Sequence, residues 1–366
     1  MATASRRPPR INVLRMRLMN QSLSRPRFTR ASEVVRWLGA VQAQDWAAAK
    51  WSLGMRMKRA THADVERALD TGEIVRTHVL RPTWHLVLPG EIRWMLELTA
   101  PNVRKRMAPY NRKLKVDAPL VRKSNRAITD ALRGGSHLTR AELKERLAGV
   151  GIATDVQRLA HILMEAELEA LICSGPRRGK QHTYALLDER VAEAPKRTRE
   201  DALAELSLRY FTAHGPAQLK DFAWWSGLSA KDARSALDMN QSRLEEATVS
   251  GRSFHYVPGG RTPPPPRALL LSIFDEYTIA YTDRSDLSEA RDVEKMLAMG
   301  SAVTAVIVLD GKVAGTWKRT LARSRVTVEL RPFQRLGAAD EEALHAQVER
   351  LGAFLGLEAR VVRAPS

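Results

Sequence analysis

Apolar and polar positions follow two different patterns along the chain, and the change comes near residue 260. Before it, most apolar residues recur at the three- and four-residue spacing of amphipathic helices. After it, short runs rich in β-branched residues predict strands, which are followed by one helix and a last strand: 269–274, 303–309, 313–317, 326–330, 339–355 (helix) and 358–362. The pattern predicts an α+β protein with a β-rich C-terminal part.

The helical part is one unit used three times. In the middle copy, Thr139 and Glu142 form a capping box, which is a signal of a helix start. Helices are predicted over 124–133, from 139 to about 148 and from 155 onward, before a hairpin over 168–174 and 182–187. Three helices followed by a hairpin are typical of a winged helix.

The other two copies flank this one. Helices over 201–213, 216–225 and 229–238 precede a hairpin over 244–249 and 253–257, whereas the first copy has a helix over 31–41 and a hairpin over 74–80 and 83–87. We therefore predict three tandem winged-helix domains followed by a small, barrel-like β-rich domain. Their ranges are 1–110, 111–195, 196–258, a Gly/Pro linker at 259–267, and 268–366.

Two glutamines, Gln42 and Gln44, stand where the first predicted helix ends. In the hairpin that follows, period-two alternation places Thr83 and His85 on one face of a strand. Glutamine is usually a solvated surface residue, so this pair alone carries little information. Beside a fold that binds DNA, the glutamines and the Thr83/His85 face suggest chemistry on a base.

The charge of the chain points to a polyanionic partner. Lys and Arg number 59 against 41 Asp and Glu, which makes the formal net charge +18. Arg177, Arg178 and Lys180 lie together at the tip of the middle hairpin, where they would contact a DNA backbone or simply keep the surface solvated. The partner that this composition favours is double-stranded DNA.

No membrane segment, metal site or cofactor motif is expected. The chain has no run of eighteen apolar residues, and its first twenty residues lack the apolar core of a signal peptide. Cys173, the single cysteine, follows two apolar residues and is expected to be a small buried hydrophobe. The histidines, glycines and lysines form no zinc-protease, phosphate-loop or dinucleotide motif. We expect a cytoplasmic, nucleoid-associated monomer.

Three segments resemble the family of winged-helix DNA glycosylases that includes AlkZ and YcaQ. They are Val41-Gln42-Ala43-Gln44, residues 75–77 with 81–87, and residues 274–277 through 281–284. A Gln-x-Gln element, rather than Gln-x-Asp, makes the chain more similar to the AlkZ branch. The resemblance covers nearly the whole chain and implies a monofunctional glycosylase that acts on duplex DNA.

The leaving group decides what two neutral amides can do. An N7- or N3-alkylated purine is already cationic, so its glycosidic bond breaks towards an oxocarbenium-like state without strong acid assistance. Gln42 and Gln44 would then hold the attacking water or the sugar by hydrogen bonds. We expect alkylated purines to be released, with bulky and crosslinked lesions as candidates, and ordinary purines to survive.

The remaining site assignments each have a structural alternative. His85 is assigned to the catalytic group, although a strand histidine is as often a hydrogen-bonded structural residue. Arg81, Thr83, Asp275, Tyr281 and Arg284 are predicted to support the site, while a carboxylate and arginine that only lock the C-terminal fold explain the last three equally well. The rival functions are a non-catalytic winged-helix DNA-binding protein or transcription regulator, and a nucleic-acid scaffold without activity.

Overall fold

The computed structural model describes residues 11–259, 262–298 and 304–363. The ends of the predicted 1–110 and 268–366 domains, part of the Gly/Pro linker and the start of the strand predicted from residue 303 lie outside these ranges. Among the described residues, no helix has the length and apolar character needed to cross a membrane.

The first part of the chain folds as helices around a three-stranded sheet. Strand order is β1-β3-β2, with antiparallel pairing throughout. The elements are α1 (Val13–Asn20), α2 (Ala31–Leu38), β1 (Val41–Gln42), α3 (Trp46–Arg56), α4 (His62–Asp70), β2 (Val75–His78) and β3 (Trp84–Val87).

Helix α2 is shorter than the predicted helix over 31–41. It ends at Leu38 because Gly39, with a φ of 83°, turns the backbone out of the helix. The next residues then pair with β3, so Gln42 lies in a strand. The prediction that the glutamines stand at the end of a helix was wrong for this reason.

The second part repeats this arrangement after a long connecting helix, α5 (Ile92–Lys113). Its sheet has the equivalent order β4-β6-β5. The elements are α6 (Ala118–Leu132), β4 (Leu138–Thr139), α7 (Arg140–Gly149), α8 (Val156–Leu168), β5 (Ile172–Ser174), β6 (Thr183–Leu186) and the short α9 (Leu187–Arg190). Helix α7 begins at the Thr139/Glu142 capping box, which confirms the prediction from the sequence.

The third part has three helices and a two-stranded hairpin: α10 (Arg199–Ala213), α11 (Leu219–Ser226), α12 (Ala230–Asp238), β7 (Glu245–Val249) and β8 (Arg252–Tyr256).

The last part is a five-stranded sheet with order β13-β12-β11-β10-β9. Its elements are β9 (Ala268–Leu271), α13 (Glu276–Ile279), α14 (Ala290–Ala298), β10 (Val306–Leu309), β11 (Lys312–Leu321), β12 (Arg325–Pro332), α15 (Ala338–Leu355) and β13 (Glu358–Arg363).

The prediction of a barrel-like C-terminal domain was wrong. Strands β9 and β13 are the two ends of the sheet and do not pair with each other, so the sheet is open. Helix α15 connects β12 to the parallel strand β13. Because a parallel partner needs a crossover, this helix occupies one face of the sheet and the strands do not curl into a closed cylinder.

The apolar cores join parts of the chain that are far apart in sequence. One cluster joins α2, α3 and α4 to the C-terminal sheet, with the rings of Trp51 and Phe354 5.2 Å apart. A second joins β2, β3 and α5 to the third part and to α8, β5 and α9 of the second part, and a third lies within the second part. Cys173 is fully buried, as expected, and burial raises the pKa of its thiol to about 12. The first part of the chain therefore shares an apolar core with each of the other parts.

Candidate functional site

A polar row crosses the first sheet at Gln42, His85 and Thr77. His85 on the central strand β3 is paired with Gln42 of β1 on one side and with Thr77 of β2 on the other. Residues directly opposite each other in a sheet point to the same face, so the three side chains lie side by side. His85 and Thr77 are fully buried, and Gln42 is 7% exposed.

His85 is held as a neutral imidazole with one free nitrogen. Its Nδ1 lies 2.9 Å from the Thr83 carbonyl oxygen, which can only accept, so Nδ1 carries the hydrogen. Nε2 is then the acceptor, and neither it nor the hydroxyls of Thr77 and Thr83 has a hydrogen-bond partner among the described residues. Burial, assisted by the charge of Arg81, lowers the pKa of His85 to about 3.

Gln42 is oriented from two sides. Arg81 donates from Nη2 to the Gln42 carboxamide oxygen at 2.8 Å, and the Gln42 backbone N–H donates to Glu276 Oε1 at 3.1 Å. The Gln42 side-chain NH₂ has no hydrogen-bond partner in the described part of the chain. Gln44 is exposed, and among the described residues its carboxamide oxygen accepts a single long hydrogen bond, 3.4 Å from the Trp84 backbone N–H.

The turn that carries Arg81 has an unusual backbone. Leu80 has a φ of 64°, a left-handed conformation that is uncommon for a residue other than glycine. Its carbonyl oxygen lies against Gly227, at the end of α11, where a Cβ would collide with it. Glycine at this position therefore lets the third part of the chain approach the turn closely. Arg81, a residue that is 7% exposed, lies at this junction.

Glu276 is a charged group of the site that sequence reasoning did not select. It is fully buried at the start of α13, where Trp225 Nε1 donates to Oε2 at 2.9 Å and His214 Nε2 lies 3.4 Å from the same oxygen. Burial acts to raise its pKa, but His214, Arg81 and the Gln42 N–H outweigh it and lower the pKa to about 2. An ionised carboxylate thus balances the charge of Arg81.

Beside this row the surface is cationic and carries an exposed aromatic ring. Trp224 is 41% exposed, and the Arg81 guanidinium carbon lies 5.3 Å from its ring centroid. Burial lowers the pKa of Arg81, and the positive charges of exposed Arg106 and half-buried Arg284 lower it further. The Nε of Arg284 has no partner among the described residues. These groups can receive a phosphate and a base or sugar face.

Asp275 and Tyr281 lie outside the row, in a buried network that joins the first and last parts of the chain. Asp275 accepts two hydrogen bonds of 2.9 Å from Arg56 and one of 2.7 Å from Ser52. Gln21 connects Arg56 to the Tyr281 hydroxyl, which donates to a backbone carbonyl. Since these buried groups are hydrogen-bonded within the network, their contribution is to hold the parts together.

The three cations of the middle hairpin have different surroundings. Arg177 forms ion pairs with Glu66 at 3.0 Å and Asp70 at 3.2 Å, and only 10% of its side chain is exposed. Arg178 is paired with Glu142 of α7 at 2.6 Å. Lys180 is exposed and has no hydrogen bond or ion pair among the described residues.

Four residues of the site were not selected from the sequence: Thr77, Glu276, Arg106 and Trp224. Thr77 and Glu276 belong to segments that carry the family resemblance, so their position in those motifs was an available signal. Arg106 lies on α5, which was not predicted as an element. Trp224 stands beside a second tryptophan, Trp225, and only the structure distinguishes the exposed ring from the fully buried one.

Comparison with known proteins identifies the family of the chain. The chain matches the family model described as DNA glycosylase AlkZ-like over residues 35–354. It is 26% identical to an interstrand DNA cross-link repair glycosylase of Streptomyces sahachiroi, over 96% of this chain and 98% of that protein. The solved structure of Streptomyces sahachiroi DNA glycosylase AlkZ has the same fold, with a TM-score of 0.77, 23% identity and coverage of 96% and 98% of the two chains. The chain belongs to the AlkZ-like DNA glycosylase family and is an enzyme of that class.

Proposed function

We propose that this glycosylase releases cationic alkylated purines from duplex DNA, including bulky and interstrand-crosslinked ones. The observation that carries the proposal is the row of neutral, incompletely paired groups, Gln42, His85 and Thr77, beside a cationic surface. The name of the Streptomyces relative, an interstrand cross-link repair glycosylase, supports the inclusion of crosslinked lesions. The family match favours the enzyme over a transcription regulator.

The reaction needs positioning more than strong acid or base. The oxygen of a water molecule forms a bond to C1′ while the glycosidic electron pair leaves with the cationic purine, which departs as a neutral base. The proton that the attacking water then loses passes to bulk solvent. Gln44, through its weakly engaged carboxamide oxygen, and His85, through Nε2, are the groups that would accept from this water. With a pKa of about 3, His85 is a weak base, so it orients the water and does not deprotonate it early.

Gln42 has a different role from Gln44. Because Arg81 donates to its oxygen, the Gln42 amide is turned with its NH₂ group free. That group would donate to the sugar or to a phosphate oxygen and so hold C1′ in position for the water. Arg81 and Glu276 are positioning residues for Gln42. Thr77, in the polar row, and Thr83 beside it add hydroxyl groups.

The same proposal includes how the protein meets DNA. Two helical units with equivalent sheet orders, and a third with a two-stranded hairpin, support three tandem winged helices that together form a basic surface. We assign backbone contacts to Lys180, with Arg178 and Arg177 available where their ion pairs open. The protein would act as a monomer in the cytoplasm, associated with the nucleoid.

Release of free base from a duplex with one N7-methylguanine tests the proposal. Gln42→Ala and Gln44→Ala should each lower the single-turnover rate by roughly ten- to a thousandfold, the range for positioned hydrogen-bonding groups. The double variant should lose less than the product of the two factors, because both residues serve one geometry. Gln334→Ala removes an exposed glutamine near the C-terminal sheet and is the matched control. Wild-type rates in both site variants, with folding preserved, would contradict the catalytic assignment of Gln42 and Gln44, and no base release by the wild-type protein would contradict the proposed substrate.

A further inference from the structure

A cavity lies between the first sheet and the second part of the chain, and the proposed reaction does not use it. Its volume is about 520 Å³, within the range of sites that bind small organic ligands. Arg76 and Trp84 line it from the first sheet, and α7, α8 and β6 line it from the other side.

This cavity is on the opposite face of the sheet from the polar row. Trp84 and Arg76 alternate along their strands with His85 and Thr77, respectively. Since side chains of consecutive strand residues point to opposite faces, a group bound against Trp84 and Arg76 is not the sugar presented to His85. The cavity is nevertheless close to the Gln-Ala-Gln segment, because Arg76 Nε donates to the Ala43 carbonyl at 3.1 Å.

Arg76 brings an incompletely paired charge into this cavity. It is 8% exposed, and apart from the Nε bond its guanidinium has no hydrogen-bond partner among the described residues. Its Cζ lies 4.2 Å from the centroid of the Trp84 ring, and that ring is fixed by a 3.3 Å hydrogen bond from Nε1 to buried Glu167. A buried guanidinium with unused donors is costly, so the site favours a ligand that accepts hydrogen bonds.

The rest of the lining combines apolar side chains with polar ones, which include Thr139, Gln181 and Asp155, whose carboxylate caps α8. Tyr184, 7% exposed, makes no side-chain hydrogen bond within the described residues, and His182 Nδ1 is buried there without a partner. Leu159 is buried in the wall, and Val156 at the start of α8 is 75% exposed. Such a surface fits a planar ring system that carries acceptor atoms on its edge.

The mouth of the cavity adds positive charge outside the apolar interior. Lys144 is exposed and without a partner in the described part of the chain, and Arg140 donates to the Val156 carbonyl at the same mouth. A planar group inside with anionic charge outside is the chemistry of a nucleotide.

We propose that this cavity binds one unpaired nucleobase of the DNA, displaced from the stack near the lesion, with its phosphate at Arg140 and Lys144. Guanine is the preferred base, because the O6 and N7 atoms of one guanine edge match two donors of an arginine such as Arg76. The inference rests on DNA being the substrate. It adds a second nucleotide site that stabilises opened DNA while the lesion meets Gln42 and Gln44.

Affinity for a duplex with a single-guanine bulge, compared with the same duplex fully paired, tests the site on the full-length protein. The wild-type protein should prefer the bulge at least about fivefold, the lower end for one bidentate base contact. Ala141→Trp, at an exposed cavity-lining position of α7, should abolish that preference and leave affinity for paired DNA within about twofold. Ala148→Trp, at an exposed position of the same helix outside the cavity, is the control and should keep the preference.

Tyr184→Phe, which keeps the ring and removes only the hydroxyl, should weaken the preference about two- to tenfold, the loss of one neutral hydrogen bond. No preference in the wild-type protein, or an equal loss with both tryptophan variants, would overturn the site. Retention of the bulge preference by Ala141→Trp, combined with slower release of an N7-naphthylmethylguanine, would also overturn it, because the occupant would then be the lesion's substituent. If no base is released from N7-methylguanine DNA but the bulge preference behaves as stated, the proposed reaction fails and the nucleotide site stands.

Discussion

Removing the Arg81 guanidinium should weaken catalysis through Gln42 without any direct contact between Arg81 and the reacting atoms. Arg81→Met keeps an unbranched side chain at a position that is 7% exposed, and deletes the 2.8 Å hydrogen bond to the Gln42 carboxamide oxygen. The Gln42 amide is then free to rotate. Its NH₂ group no longer has a fixed direction towards the DNA.

The size of the effect follows from the kind of hydrogen bond that is lost. A hydrogen bond to a charged group contributes about 1.5 to 3 kcal/mol. If all of it serves to hold Gln42 for the transition state, base release should slow by roughly ten- to 150-fold. The same interaction energy should appear as coupling, because Gln42→Ala removes the group that Arg81 orients.

Single-turnover release of N7-methylguanine in a double-mutant cycle measures this coupling. Gln42→Ala should cost about ten- to 150-fold less in the Arg81→Met protein than in the wild type. Arg284→Met is the matched control, because it removes a neighbouring half-buried arginine charge that makes no hydrogen bond to Gln42. It should weaken DNA binding and show no coupling to Gln42. Independent, multiplicative costs for Arg81→Met and Gln42→Ala, with melting temperatures preserved, would refute the positioning role.

Three further outcomes are expected. Burial lowers the pKa of His85 from 6.5 to about 3, so below about pH 6.5 the unfolded chain gains a proton that the folded chain does not. The free energy of unfolding should therefore decrease by up to about 1.4 kcal/mol per pH unit as pH falls. Urea titrations of His85→Gln should show that the slope of this free energy against pH is smaller by one proton. Asp275→Asn leaves the buried charge of Arg56 without its carboxylate and should destabilise the protein by about 3 to 5 kcal/mol in denaturant unfolding, an expectation that a change below about 1 kcal/mol would contradict. Lys180→Ala should reduce the slope of log affinity against log salt by about one, whereas Arg177→Ala, which breaks two intramolecular ion pairs, should lower the melting temperature more than it changes that slope.

Most helices and strands of this protein could be predicted from local signals. The capping box at Thr139 and Glu142 marks the start of α7, and the strand pattern of the C-terminal part is observed in β9 to β13. Helix α5 was missed because Pro101 and Pro109 lie inside it, and proline usually indicates a break. In the folded protein, tertiary packing of residues such as Trp94 and Leu98 stabilises the helix in spite of them.

Part of the candidate site could also be predicted from the sequence. Gln42, Gln44, Thr83 and His85 could be selected because their motif resembles a known family and because alternation along a strand assigns a face. The alternation of side chains along one strand does not show which face of the sheet is buried or which strands are neighbours. The pairing of His85 with Gln42 and Thr77 depends on the order β1-β3-β2, which is decided by packing over separations of tens of residues.

The sequence by itself determined the α+β class, the repeated helical units, the strongly basic charge and the family, because composition, periodicity and motifs are local properties of the chain. Only the tertiary structure decided which charges meet. Arg81 reaches Gln42 from 39 residues away, and Glu276 reaches it from 234 residues away. The environment then determines what these groups can do. Burial and the positive charge of Arg81 lower the pKa of His85, while His214 and Arg81 outweigh burial and lower the pKa of Glu276, which keeps the imidazole neutral and the carboxylate ionised.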